Sequence, residues 1–264
     1  MLRYTPTPVQ EIYDPTLDKA CVRVLIKRED LNHPTISGNK WWKLKYNLEE
    51  AVKLGHTTLL TFGGAYSNHI YATAAAAHEL GLKSIGIIRG EETLPLNQTL
   101  SFAKSVGMQL HYVSRETYRT KEEHNFIDSL HTKFGKFYLI PEGGSNELAV
   151  KGVTEFAKCL GIEFDYLCCA VGTGGTLAGL IRGVSKEKEI LGFSVLKGGE
   201  FLKAEINKFL PEGTYNNWRI VTDYHFGGYG KTNSQLITFI KQFTDNHQVE
   251  LDNVYTGKAM AGIY

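Results

Sequence analysis

Tyr166-Leu167-Cys168-Cys169-Ala170-Val171-Gly172-Thr173-Gly174-Gly175-Thr176 reads as a strand, a glycine-rich turn and the opening of a helix. Six uncharged residues, too few for a helix, run into glycines, and Leu177-Ala178-Gly179-Leu180-Ile181 then continues with helical spacing. In open α/β sheets ligands bind at the carboxyl ends of the strands, and amides at a helix N-terminus make a cradle for a phosphate. A dinucleotide fingerprint fails here, because Leu177 stands at its third glycine position and Lys197 where an acid is needed. A single small phosphate is favoured over NAD, although a purely structural turn explains these residues, taken alone, equally well.

Working outward, the same strand–helix unit recurs. Candidate strands are 21–27, 57–62, 84–89, 109–113, 137–140, 166–171, 191–196 and 219–222. Candidate helices are 40–54, 68–80, 96–106, 116–133, 147–160, 176–184, 201–210 and 234–246, several closed by glycines such as Gly55, Gly81, Gly107 and Gly161. The alternation specifies an α/β protein with mostly parallel sheets covered on both faces.

Two further glycine turns follow strands. Gly63-Gly64-Ala65-Tyr66-Ser67-Asn68-His69 precedes an alanine-rich helix. Ser67 and Asn68 are good helix caps, and the same geometry suits a substrate carboxylate and a phenolic oxygen. In Pro141-Glu142-Gly143-Gly144-Ser145-Asn146, capping is at least as good an explanation as ligand contact. Gly230-Lys231-Thr232 imitates the end of a P-loop, but His225 stands at the required first glycine, so the motif fails. Lys40, in Ser37-Gly38-Asn39-Lys40, opens a helix after a flexible glycine. A lysine there can present a neutral amine to a carbonyl carbon, or be an ordinary surface residue.

The bulk properties narrow the classes. With 264 residues, 42% hydrophobic and 22% charged, the composition is that of a globular protein, and a formal net charge of +1 gives no reason to expect nucleic acid or a membrane surface as partner. No apolar run approaches a membrane span, and no secretory signal is read at the N-terminus. Cys21, Cys159, Cys168 and Cys169 show no CxxC spacing, and no HExxH occurs among nine histidines. A cytoplasmic, metal-free protein is expected, with Cys168 and Cys169 serving as small hydrophobes.

Ser-Gly-Asn-Lys, then Ser-Asn-His, then Gly-Thr-Gly-Gly-Thr, in that order, resembles the fold type II (tryptophan-synthase β-like) pyridoxal-phosphate enzymes. Within them it resembles the 1-aminocyclopropane-1-carboxylate deaminase / D-cysteine desulfhydrase family. The likeness runs from Lys27-Arg28-Glu29-Asp30 to Val254-Tyr255-Thr256-Gly257-Lys258-Ala259-Met260-Ala261-Gly262. It implies that Lys40 bonds to the cofactor's aldehyde carbon, that Asn68 meets its phenolic oxygen, and that Gly172, Thr173, Gly174, Gly175 and Thr176 take its phosphate. Ser67, Asn68 and His69 would line the substrate-binding side, with Ser67 and His69 beside the carboxylate. Tyr229 and Tyr255 match the two active-site tyrosines. Thr256 stands where deaminases look like Tyr-Glu-Gly, so the pyridine nitrogen would face a neutral hydroxyl. That weaker electron sink is similar to the desulfhydrases. Departures are Trp41-Trp42 after the lysine and Ala65-Tyr66 before Ser67. The family's closing strand and His-Thr-Gly-Gly-like turn would lie past Tyr264.

The resemblance implies α,β-elimination, with Lys40 taking the Cα proton and Tyr229 or Tyr255 assisting departure of sulfide. D-cysteine desulfhydrase is the first expectation and 1-aminocyclopropane-1-carboxylate deaminase its alternative. More distant ones are a serine/threonine-type dehydratase or β-replacing synthase, and a non-catalytic amino-acid or cofactor-binding protein. Two α/β lobes are expected, a small domain over 44–149 and a large pyridoxal-phosphate domain over 1–43 and 150–264, with the cofactor in the cleft. A homodimer is expected from the family.

Overall fold

In the computed structural model, which describes residues 2–264, the chain opens with β1 (Val9–Ile12), α1 (Pro15–Lys19) and β2 (Val24–Lys27). β1 and β2 pair antiparallel, Val9 opposite Lys27 and Ile12 opposite Val24. The expected strand from residue 21 starts later because Cys21 adopts a left-handed φ of 55° and its amide closes the turn onto Asp18 O.

Next come α2 (Asn39–Lys53), β3 (Thr58–Gly63), α3 (Asn68–Glu79), β4 (Lys83–Arg89), α4 (Gln98–Ser105), β5 (Met108–Val113), α5 (Arg115–Arg119), α6 (His124–Phe134), β6 (Tyr138–Ile140) and α7 (Glu147–Lys158). The four strands form one parallel sheet in the order β5-β4-β3-β6. Successive side chains of a strand point to opposite faces, and both faces are buried. Leu59 packs with Leu44, Leu48, Ala51, Ala72, Ala75 and Ala76, while Leu60 and Phe62 pack with Ile85, Ile87, Leu130 and Phe137. This explains apolar runs without polar alternation. The single helix expected over 116–133 is two helices. Thr120 Oγ1 donates back to Thr117 O at 2.8 Å, and Glu123, extended at φ −74° and ψ 139°, starts α6 afresh.

The chain ends with β7 (Tyr166–Val171), α8 (Gly175–Gly183), β8 (Glu189–Ser194), α9 (Leu202–Asn207), β9 (Trp218–Val221), α10 (Ser234–His247) and α11 (Thr256–Ile263). β7-β8-β9 is a parallel sheet. Ile12, Leu17, Val24, Phe243, Val249 and Met260 form a core that joins the opening hairpin to α10 and α11. Cys168 and Cys169 on β7 are half-buried, and burial pushes their thiols up to about 11 and about 12 respectively.

Contacts divide the chain into two units. An inserted unit holds residues 2–5 and 30–152, and a flanking unit holds 6–29 and 153–264. Residues 2–5, 30–43 and 150–152 are expected in the large domain from the sequence but cluster with the inserted unit. Residues 30–43 do so because α2 is one continuous helix whose buried residues Trp41, Trp42, Leu44 and Leu48 pack there. No described helix is long and apolar enough to cross a membrane.

Candidate functional site

In the inserted unit, β3 ends at Gly63 and the chain turns through Gly64 to Ser67, whose Oγ caps α3 by accepting from Ile70 N at 3.2 Å. The turn needs glycine at 63. A Cβ there would lie 2.5 Å from Ile70 Cγ1 and 2.8 Å from Ser67 Oγ. Ser67 is buried, whereas Asn68 is exposed, the first residue of α3 beside a strand end where ligands collect.

The His69 ring does not lie at the mouth of this turn. Its helical position points it at the sheet, and it is 1% exposed. Thr61 Oγ1 donates to Ile140 O at 2.8 Å, so it accepts from His69 Nε2–H, also at 2.8 Å. The other ring nitrogen, Nδ1, is buried without a hydrogen-bond partner and faces Gly144, whose Cβ position lies 3.3 Å away. Burial first, then the charges of Lys40 and Lys43, hold the imidazole well below its usual range and therefore neutral. The ring is a prop under the Ser67-Asn68 turn.

Lys40 is the second residue of α2, entered from Gly38 at φ 69° and ψ −149°, a conformation open to glycine. One turn further, Lys43 is 1% exposed and donates to Ser145 Oγ at 2.9 Å. Burial, then the charge of Lys40, push the Lys43 amine well below the ordinary lysine range. The third glycine segment locks this helix. Asn146 Oδ1 caps α7 by accepting from Ala149 N at 2.9 Å. The Asn146 and Asn47 amides also exchange two hydrogen bonds, at 2.7 and 3.1 Å. Asn146 thus serves that loop as a helix cap.

In the flanking unit, β7 runs into Gly172-Thr173-Gly174-Gly175-Thr176. Gly174 caps α8 in the left-handed conformation, φ 84°, and makes no side-chain cap hydrogen bond. A Cβ on Gly172 would lie 3.0 Å from Tyr255 Cε1, so the Tyr255 ring rests on this turn. Tyr229 meets the same ring edge-on, centroids 6.1 Å apart at 71°. Thr256 opens α11 with its hydroxyl engaged. Oγ1 donates to Asp252 Oδ2 at 2.9 Å and accepts from Asp252 N at 2.8 Å. Asp252 also takes the amides of Val254, Tyr255 and Thr256. The Thr256 hydroxyl, expected as a plain neutral partner, is thus coupled to a carboxylate and can offer a third group only a lone pair.

Lys40, Ser67 and Asn68 are placed in one unit, and the glycine turn, Tyr229, Tyr255 and Thr256 in the other. The residues fit an anionic aldehyde. In the one unit, Lys40 and Lys43 supply amines beside an imidazole that stays neutral; in the other, the α8 N-terminus, which has no side-chain cap from Gly174, suits a phosphate. Among the described residues no group of three metal-ligating side chains occurs. Sequence reading passed over Lys43, Asp252 and the buried Lys258. For Lys258 the available signal was a lone charge inside an apolar helical run, Gly257-Lys258-Ala259-Met260, whereas Lys43, between Lys40 and Lys45, and Asp252 gave none.

A family model described as pyridoxal-phosphate dependent enzyme matches residues 1–264. A Thermotoga maritima protein, provisionally named 1-aminocyclopropane-1-carboxylate deaminase, is 36% identical over 99% of this chain and 89% of its own length. The mitochondrial bifunctional D-cysteine desulfhydrase/1-aminocyclopropane-1-carboxylate deaminase of Arabidopsis thaliana is 31% identical over 99% of this chain and 71% of its own. The crystal structure of an ACC deaminase homologue superposes with a TM-score of 0.86 at 29% identity, covering 100% of this chain and 85% of that one.

Proposed function

The chain belongs to the pyridoxal-phosphate dependent enzymes, and from that premise we propose that this lyase acts on D-cysteine, releasing pyruvate, sulfide and ammonia with uptake of one water. The observation that carries the site is Lys40. Its amine opens α2 after a left-handed Gly38, one turn from the buried amine of Lys43 and with a neutral His69 in the same unit. When bound, pyridoxal phosphate supplies the electron sink that lets the Cα proton leave.

In this reading the chain's residues divide the work. Lys40 anchors the cofactor and, once its amine is free, removes the Cα proton. The turn Gly172–Thr176 holds the phosphate with its backbone amides. Asn68 donates to the phenolic oxygen, and Ser67 with the α3 amides takes the substrate carboxylate. The His69 ring keeps that turn in place, and its backbone amide is among those offered to the carboxylate. Tyr229 or Tyr255 assists protonation of the departing sulfur. Thr256 meets the pyridine nitrogen.

A specific observation favours a second substrate. Because its O–H donates to Asp252, the Thr256 hydroxyl would offer the ring nitrogen an acceptor, which would favour a protonated ring and a stronger sink. This supports 1-aminocyclopropane-1-carboxylate, opened to 2-oxobutyrate and ammonia, as the alternative. The bifunctional Arabidopsis relative supports keeping both. Side-by-side turnover of D-cysteine, L-cysteine, D-serine and the cyclopropane amino acid decides. Sulfide and pyruvate from D-cysteine above all others are expected, and 2-oxobutyrate as the dominant product would reverse the order. The same reading carries a cytoplasmic homodimer, checked by cell fractionation and sedimentation.

A further inference from the structure

Lys258 is 1% exposed on α11, and two backbone carbonyls are its hydrogen-bond partners. Its amine donates to His225 O at 2.9 Å and to Gly228 O at 2.7 Å. Both carbonyls already accept an amide within their own turn, from Gly228 N and Lys231 N respectively. The ammonium therefore takes the remaining lone pair on each.

The loop it grips is an unusual one. Phe226, Gly227, Gly228 and Gly230 all have positive φ, at 49°, 91°, 104° and 67°. Such a backbone is poorly determined by its own preferences, and Phe226 is outside glycine's licence. Two turn bonds and Gly227 N to Nδ1 of His225 at 2.9 Å lie within the loop, and Lys258 ties it to α11 through two of its carbonyls. Tyr229 sits in this loop, and Tyr255 lies three residues before Lys258, at the head of the same helix. One ammonium thus joins the Tyr229 loop to the Tyr255 helix, and the two rings meet edge-on above Gly172.

We propose that Lys258 is a positioning residue for the tyrosine pair, its ammonium acting as a built-in cation on the His225 and Gly228 carbonyls that fixes Tyr229 against Tyr255. The proposal rests on the reading that these tyrosines serve the reaction. An amine on carbonyl oxygens can be replaced by free ammonium, whereas an apolar packing role cannot, which makes the assignment testable.

The test uses the pyridoxal-phosphate-loaded enzyme, with sulfide release from D-cysteine, and hydrogen exchange of the 224–231 peptide measured separately. Lys258→Met and Tyr229→Phe should each lower kcat about tenfold or more, and the double variant should lie within about threefold of the worse single one. In Lys258→Ala, ammonium chloride should restore kcat and slow the exchange of 224–231, sodium chloride at equal ionic strength should not, and Tyr229→Phe should respond to neither. Losses that multiply in the double variant, or unchanged exchange and no ammonium rescue in Lys258→Ala, would overturn the proposal. If Lys258→Met does not fold, Lys258→Ala refolded in ammonium carries the same comparison. A wild-type enzyme that turns over none of the amino acids would sink the elimination reading alone, since the exchange and rescue of the loop would still decide the role of Lys258.

Discussion

The Lys43 amine donates to the Ser145 hydroxyl at 2.9 Å, so a fully buried lysine is held by a neutral group. Its folded-state pKa lies well below 10.5, from burial first and the Lys40 charge second. Between the folded and unfolded values the unfolded chain binds more protons, so stability rises with pH across that window, by up to about 1.4 kcal/mol per pH unit. Lys43→Met should be more stable than wild type near pH 7, and the gap should close as pH rises towards 10. Calorimetric melting of both proteins from pH 7 to 10 measures this, and parallel curves would contradict it.

His69 gives the same sign in a lower pH window. Buried and neutral, with a folded pKa well below 6.5, it leaves the unfolded chain to take up a proton first as pH falls. Stability is therefore lost below about pH 6.5. A His69→Gln variant keeps a donor for Thr61 but does not titrate. Between pH 7.5 and 5.5 wild type should lose about 1 kcal/mol more than this variant, read from urea midpoints.

Gly63→Ala places a methyl 2.5 Å from Ile70 Cγ1 and 2.8 Å from Ser67 Oγ. The substitution should cost about 1–3 kcal/mol by overpacking and displace the Ser67 cap. KM for the amino acid should rise more than kcat falls, because the turn binds and does not transfer protons. Steady-state kinetics beside a melting curve check both effects.

Asp252 gathers the Val254, Tyr255 and Thr256 amides and the Thr256 hydroxyl. Asp252→Ala removes the cap of α11 and should cost about 1–2 kcal/mol. If the carboxylate also supports the ring nitrogen through Thr256, Asp252→Asn should lower turnover of the cyclopropane amino acid more than that of D-cysteine. Equal losses on both substrates would remove Thr256 from that role.

What could be read in advance follows from which forces act locally. The β7–turn–α8 unit was legible because an uncharged run, a glycine turn and helical spacing each have a local cause, and β7 occupies Tyr166–Val171 as read. β1 was not, since Val9–Ile12 is four residues of mixed polarity made a strand only by pairing with β2. The direction of the His69 ring was not legible because α3 is buried almost all round, from Ala72 to Ala77. Such a helix carries little amphipathic signal to say which side meets the sheet. Lys43 and Lys258 were passed over because a lysine in a helix ordinarily lies at the surface. Only tertiary packing supplies the hydroxyl and the carbonyls that let these two stay inside.

The central claim is that Lys40 bonds covalently to pyridoxal phosphate, and borohydride trapping of the cofactor-loaded protein followed by peptide mass mapping tests it most directly. A pyridoxyl mark on Lys40 alone, absent from Lys40→Ala, is the predicted result. A mark on Lys43, Lys258 or another lysine, or no mark at all, would contradict it.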